Sequence, residues 1–114
     1  MRFEHEIRRE LNDAIEARRG ITRFLQPSYQ LVISALKYCM GEGKKDNAVP
    51  GFGNPRGEDE IRERLEECRN RRENSRRIIA TNWQIIVSSL EWVLGDSNIT
   101  PLEARERFSV GVFF

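Results

Sequence analysis

Residues 41–57 read GEGKKDNAVPGFGNPRG, five glycines and two prolines in seventeen positions. That density of backbone breakers rules out a regular element there and divides the chain into two long stretches that must be built separately. A phosphate-binding loop does not fit. GxxxxGK[ST] and GxGxxG are both absent, and no strand precedes the segment to aim it at a ligand. The segment is expected to connect, with Phe52, an apolar side chain between two glycines, as a candidate contact residue.

Both flanking stretches carry a helical period. Phe3, Ile7, Leu11, Ala14, Ile21, Leu25, Val32, Leu36 and Cys39 recur at steps of three, four or seven, which places them on one stripe of a helix over residues 2–40. Pro27 removes a backbone donor, so this helix should kink there or divide into two in tandem; the stripe runs in phase through it, as a kinked helix requires. Ile61, Leu65, Cys68, Ile79, Trp83, Ile86 and Leu90 form a second stripe over residues 58–94. Acidic residues in EDEIRERLEE suit the start of that helix, and Gly95 suits its end. The pairs Glu58/Arg62, Glu60/Arg64, Glu67/Arg71 and Glu73/Arg77 have the spacing and orientation of supporting ion pairs.

A shorter helix over 101–108 is announced by Thr100-Pro101-Leu102-Glu103, with threonine to cap, proline at the first helical position and Glu103 to complete a capping box. The apolar tail 109–114, SVGVFF, is expected to dock on the bundle or on a partner.

The predicted class is all-α: one domain over residues 1–114, an antiparallel hairpin of two long helices plus a short C-terminal helix. Residues 31–40 and 78–94 are apolar nearly all round, and a helix of that kind needs burial on more than one face. A single long hairpin sets these halves at opposite ends and leaves apolar surface uncovered. A twofold dimer would cover it, and a helical-bundle homodimer is the favoured expectation. The intramolecular alternative breaks the first helix at Pro27 and packs three or four shorter helices together.

Charge is balanced overall, at +1, so any anionic partner must be sought locally. The basic residues are sixteen arginines against three lysines, which favours planar, two-pronged pairing with carboxylates or phosphates. On a helical wheel Arg72 and Arg76 fall about 20° either side of Leu65, and Arg18 about 20° from Leu25, inside the apolar stripes. The hairpin register brings Arg18, Arg19 and Arg23 level with Arg72, Arg76 and Arg77, midway along the bundle. Guanidinium groups so placed must extend to water, pair with acids across an interface, or bind a foreign anion.

Cys39 and Cys68 lack metal-ligand spacing and His5 is the lone histidine, so no metal or cofactor is expected; reduced cysteines and the absence of a long apolar run point to a cytoplasmic chain with no membrane partner. No nucleophile lies beside a base, and catalysis is the least supported class. The leading reading is a non-enzymatic helical interaction module, a regulator, adaptor or inhibitor of another protein. Its candidate contacts are Arg18, Arg23, Arg72, Arg76, Arg77, Phe52, Trp83 and Trp92, since Trp and Arg are common interface anchors. Nucleic acid or another anionic ligand held by the arginine cluster is the alternative.

Overall fold

The computed structural model of the chain describes residues 1–23, 26–42 and 55–108. Among them are five α-helices and no strand: α1 (Glu4–Arg19), α2 (Gln26–Cys39), α3 (Glu58–Glu73), α4 (Arg77–Leu94) and α5 (Pro101–Phe108). The all-α class, the starts at residues 58 and 101 and the ends at 94 and 108 agree with the sequence reading. The two long helices do not. Each is divided into a pair of shorter helices that fold back on one another, as in the intramolecular alternative.

Local chemistry explains both divisions. In the second stretch the Asn74 side-chain amide donates to the Asn70 carbonyl at 2.8 Å, and the Ser75 hydroxyl donates to the Arg71 carbonyl. The Asn70 carbonyl also keeps the Asn74 N–H at 3.1 Å, but the Ser75 N–H has turned to the Arg72 carbonyl, and the Arg71 carbonyl takes the Ser75 hydroxyl in its place, so a short polar side chain closes α3 instead of the next turn. Arg76 is then extended (φ −78°, ψ 163°) and α4 starts at Arg77. In the first stretch the chain leaves the helix at Gly20, whose N–H and that of Ile21 both donate to the Arg18 carbonyl. Pro27 lies in the first turn of α2, where the missing N–H costs nothing, so it starts a helix instead of kinking one.

α1 and α2 thus form one antiparallel hairpin, and α3 and α4 another. The register of the second is marked in order by Arg62 on Asp96 (3.0 Å), Arg69 on Glu91 (3.5 Å) and Arg72 on Gln84 (2.7 Å). The hairpins join along α2 and α4, and α5 crosses both. The apolar halves 31–40 and 78–94 therefore pack against one another within the chain, except at Ile78 and Ile79. Val32, Ile33, Leu36, Cys39 and Met40 form a single core with Ile85, Val87, Leu90, Val93 and Leu94, joined by Ile7, Leu11 and Ala14 from α1 and Ile61, Leu65 and Cys68 from α3.

Three arginines fasten the elements. Arg2 donates from its backbone to the Val93 carbonyl and from its side chain to those of Trp92 and Ser97, tying the start of α1 to the end of α4 while its guanidinium lies over the Trp92 ring. Arg56 donates through its backbone to Cys39 and through Nε to Tyr38, and stacks on the Tyr38 ring at 3.9 Å; this ties the approach to α3 to the end of α2. Arg105 donates to Ser28 Oγ and Tyr29 Oη from above the Tyr29 ring and holds α5 on α2. In the first two, a cation adds a second hydrogen bond to a carbonyl at a helix C-terminus, Trp92 O also accepting from the Gly95 N–H and Tyr38 O from the Gly41 N–H.

α5 has its expected threonine cap, the Glu103 N–H donating to Thr100 Oγ1 at 3.2 Å. The N–H of Leu102 donates to Glu10, whose carboxyl is pushed above its ordinary value, chiefly by burial and further by Asp13 and Glu103. Of the four ion pairs expected along the second stretch, Glu58/Arg62 forms. Arg64 pairs with Glu67, Glu60 with Arg56, and Arg71 lies over the Trp83 ring. Glu73 and Arg77 are separated by the break, so the helical spacing between them does not exist.

Candidate interaction surface

The two hairpin turns, around residues 20–23 and 74–76, lie at one end of the bundle. The parallel run of α2 and α4 puts them there: the C-terminal ends of both helices are tied to the start of α3, through Arg56 and through the Arg62–Asp96 pair. The arginines singled out from the sequence therefore lie toward the turn end of the bundle and not midway along it, Arg18 and Arg23 at the first turn and Arg72, Arg76 and Arg77 at the second.

Their surroundings differ from the wheel. Arg72 and Arg76 were placed inside the hydrophobic seam by extending the phase of Leu65 through residue 76; the break at Asn74–Ser75 cancels that phase. Arg76 is fully on the surface at the start of α4. Arg72 is half-buried at the edge of the α3–α4 contact, donating to Gln84 and paired with Glu73, and Gln84 in turn donates to Ser88 Oγ at 2.9 Å. Neither guanidinium is a buried charge in search of an anion.

Arg18 donates to Gln30 across the first hairpin and is half-buried, while Arg23 is exposed. These two share a cleft of about 300 Å³ with Gln26, Pro27 and Gln30. Trp92 is buried in the core beneath Arg2, which removes it from the contact residues. Trp83 is partly buried against the core and shielded by Arg71. Phe52 and the tail 109–114 lie outside the described residues.

The feature that sequence reasoning missed is Ile78–Ile79. The second stripe assigned Ile79 to the seam, yet both side chains are more than half exposed, Ile78 at 59 % and Ile79 at 55 %. Together with Arg76 and Arg77 they line an open, almost wholly apolar groove of about 740 Å³. Among the described residues no carboxylate lies within ion-pair distance of Arg23, Arg76 or Arg77. Arg62, away from the turns, is held by both Glu58 and Asp96 and keeps the Asp96 carboxyl below the ordinary carboxylate range. The signal in the sequence was the juxtaposition Asn74-Ser75-Arg76-Arg77-Ile78-Ile79, where two helix-ending side chains immediately precede the arginine and isoleucine pairs.

This surface sets an exposed apolar patch beside two guanidinium groups that have no carboxylate partner among the described residues. It offers no nucleophile and no general base. Among the described residues no three His, Cys, Asp or Glu side chains come together as metal ligands, and no helix is long and apolar enough to cross a membrane. The two thiols are buried apart from it, Cys39 pushed up to about 12 and Cys68 raised, both by burial. Comparison of the chain with protein-family models, with curated proteins and with solved structures yields no match.

Proposed function

We propose that this chain is a non-enzymatic helical interaction module, working as a regulator, adaptor or inhibitor by presenting its turn end to a protein. One observation carries the reading: two unpaired arginines, Arg76 and Arg77, adjoin two exposed isoleucines, Ile78 and Ile79, on one open groove. Exposed apolar side chains are costly to keep in water, at roughly 25 cal/mol per Å² of surface, and a contact that covers them recovers that energy. Unpaired guanidinium groups around the apolar centre add direction, since they favour a carboxylate-bearing partner and repel a basic one. The expected ligand is an acidic helical segment with an apolar stripe.

Nucleic acid is the second reading, favoured by Arg18, Arg23, Arg76 and Arg77 at one end. Phosphate contacts would use the arginines but leave the isoleucine pair in water, which makes this the weaker fit.

Selection of displayed helical peptides on the immobilised chain separates the two. Enrichment of acidic, apolar-striped peptides that lose binding to a variant carrying Arg76→Glu and Arg77→Glu supports the module. Selected peptides indifferent to that charge reversal refute it, as does salt-sensitive binding of oligonucleotides in the absence of peptide binding.

A further inference from the structure

The described residues expose four large apolar side chains, and the fold distributes them as two pairs. Ile78 and Ile79 lie at the turn end. Met1, 54 % exposed, and Phe3, 70 % exposed, lie at the opposite end, where the backbone of Arg2 is bonded to Val93 at the close of α4. Phe3 stands directly before Glu4 at the start of α1, so this second pair adjoins an acidic turn as the first adjoins a basic one.

The same polarity runs through the whole molecule. Dividing each helix at its midpoint puts ten arginines and six carboxylates in the turn half (residues 12–23, 26–33, 66–85 and 105–108), a net +4. The other half (residues 1–11, 34–42, 55–65 and 86–104) holds seven basic and eleven acidic side chains, a net −4. The remaining +1 of the chain belongs to Lys44, Lys45 and Asp46 in the connector. At the acidic end the first turn of α3 is Glu58, Asp59 and Glu60, followed by Glu63; Asp59 and Glu63 have no basic partner within ion-pair distance among the described residues.

We infer that the turn end of one copy docks on the acidic end of a second copy, head to tail, with Ile78 and Ile79 against Met1 and Phe3 and with Arg76 and Arg77 facing the Glu4 and Asp59 end. The inference rests on the turn end being the contact surface and adds that the chain carries its own ligand for it. Charge complementarity selects this geometry over a twofold dimer through the same groove. Twofold contact would set Arg76 and Arg77 against their own copies, and like charges brought together oppose association. A head-to-tail contact uses two different surfaces, so each addition leaves one of each free; such assemblies grow into open chains or close into rings.

Sedimentation velocity on three proteins tests it. The first is the wild type, the second carries Arg76→Ser, Arg77→Ser, Ile78→Ser and Ile79→Ser, and the third carries Phe3→Ser, Glu4→Lys and Asp59→Lys. All the altered positions are exposed, and circular dichroism verifies that the helices persist. The wild type is expected to gain mass with concentration over about a hundredfold range at low salt and to lose it at high salt. Each variant alone is expected to be monomeric, and the two mixed are expected to form a one-to-one dimer that grows no further, because one supplies the intact turn end and the other the intact acidic end. A wild type that stays monomeric overturns the inference, as does a mixture that stays monomeric or either variant dimerising alone. If acidic peptides still bind the turn end of a monomeric wild type, the self-docking fails and the module reading stands; if neither peptides nor copies bind, both fail.

Discussion

Replacing Asn74 and Ser75 together by alanine asks whether the α3–α4 hairpin is imposed by its turn or by its core. Both side chains close α3 by donating to carbonyls of the preceding turn. Alanine cannot do this, and it favours helix over asparagine and serine by about 0.5 kcal/mol each, so the double substitution gives a continuous 58–94 helix an advantage of about 1 kcal/mol. Against that stands the burial of Ile61 and Leu65, each 1 % exposed, and Cys68 at 0 %, which a straight helix would carry out into solvent. At about 1.5–3 kcal/mol for each of the two large side chains, burial exceeds the propensity gain by at least about 2 kcal/mol. The hairpin should therefore survive, destabilised by about 1 kcal/mol. Spin labels at positions 66 and 91 read the outcome. Arg69 here bonds Glu66 and reaches Glu91 at 3.5 Å, so the two positions are neighbours across the hairpin, whereas a continuous helix would hold their Cα atoms about 38 Å apart. Cys39 and Cys68 are buried and should take no label. A distance distribution centred near the long value, in the double variant or in the wild type, would refute the claim that tertiary burial outweighs local helix preference here.

Two glycines that look alike in sequence should respond oppositely to alanine. Gly95 caps α4 at φ 84°, where Gly95→Ala should cost about 1 kcal/mol, whereas Gly20 sits at φ −89° and a Cβ there would meet only the Ala17 carbonyl oxygen, in ordinary contact at 4.0 Å, so Gly20→Ala should be neutral or stabilise by about 0.4–1 kcal/mol; thermal melts that reverse this order would contradict the assigned backbone. Glu10→Gln keeps an oxygen for the Leu102 N–H and removes the charge that burial disfavours. Because the folded-state value of Glu10 lies above the unfolded one, the folded chain holds this proton more tightly and stability falls as pH rises through that interval. The variant's melting temperature should accordingly exceed that of the wild type by more at pH 7 than at pH 4, and a gap that shrinks with pH would show the carboxylate to be stabilising. Cys39 and Cys68 should resist a thiol reagent at pH 8 in the folded chain and react at once in denaturant, since burial raises both; rapid reaction of the native protein would place them at the surface.

The core stripes were legible in the sequence because burial follows the helical period wherever the helix is continuous: Ile7, Leu11 and Ala14, then Val32, Leu36 and Cys39, then Ile61, Leu65 and Cys68 all fall inside. The stripe failed at Phe3 and at Ile79, each beside a helix start. A helix's first turn can lie beyond the element that covers the rest, so periodicity alone overstates its burial. The arginines illustrate the same limit. Arg72 and Arg76 shared a face only on a helix that does not exist, and the roles of Arg2, Arg56 and Arg105, which bond across the fold to residues distant in the chain, leave no local pattern to read.

By itself the sequence determined a helical chain with a glycine-dense connector, the limits set by Glu58, Gly95 and Thr100-Pro101, and the residues of the core, all of them matters of local backbone preference and helical period. Tertiary structure alone decided that each long stretch would fold back on itself. Whether Asn74 and Ser75 end a helix or ride through one turns on whether the halves of that helix have apolar faces to bury against each other. That single decision brought Arg23, Arg76 and Arg77 to one end, the last two beside Ile78 and Ile79, drew a chain of almost no net charge into a basic half and an acidic half, and made a surface where the sequence showed only a run of arginines.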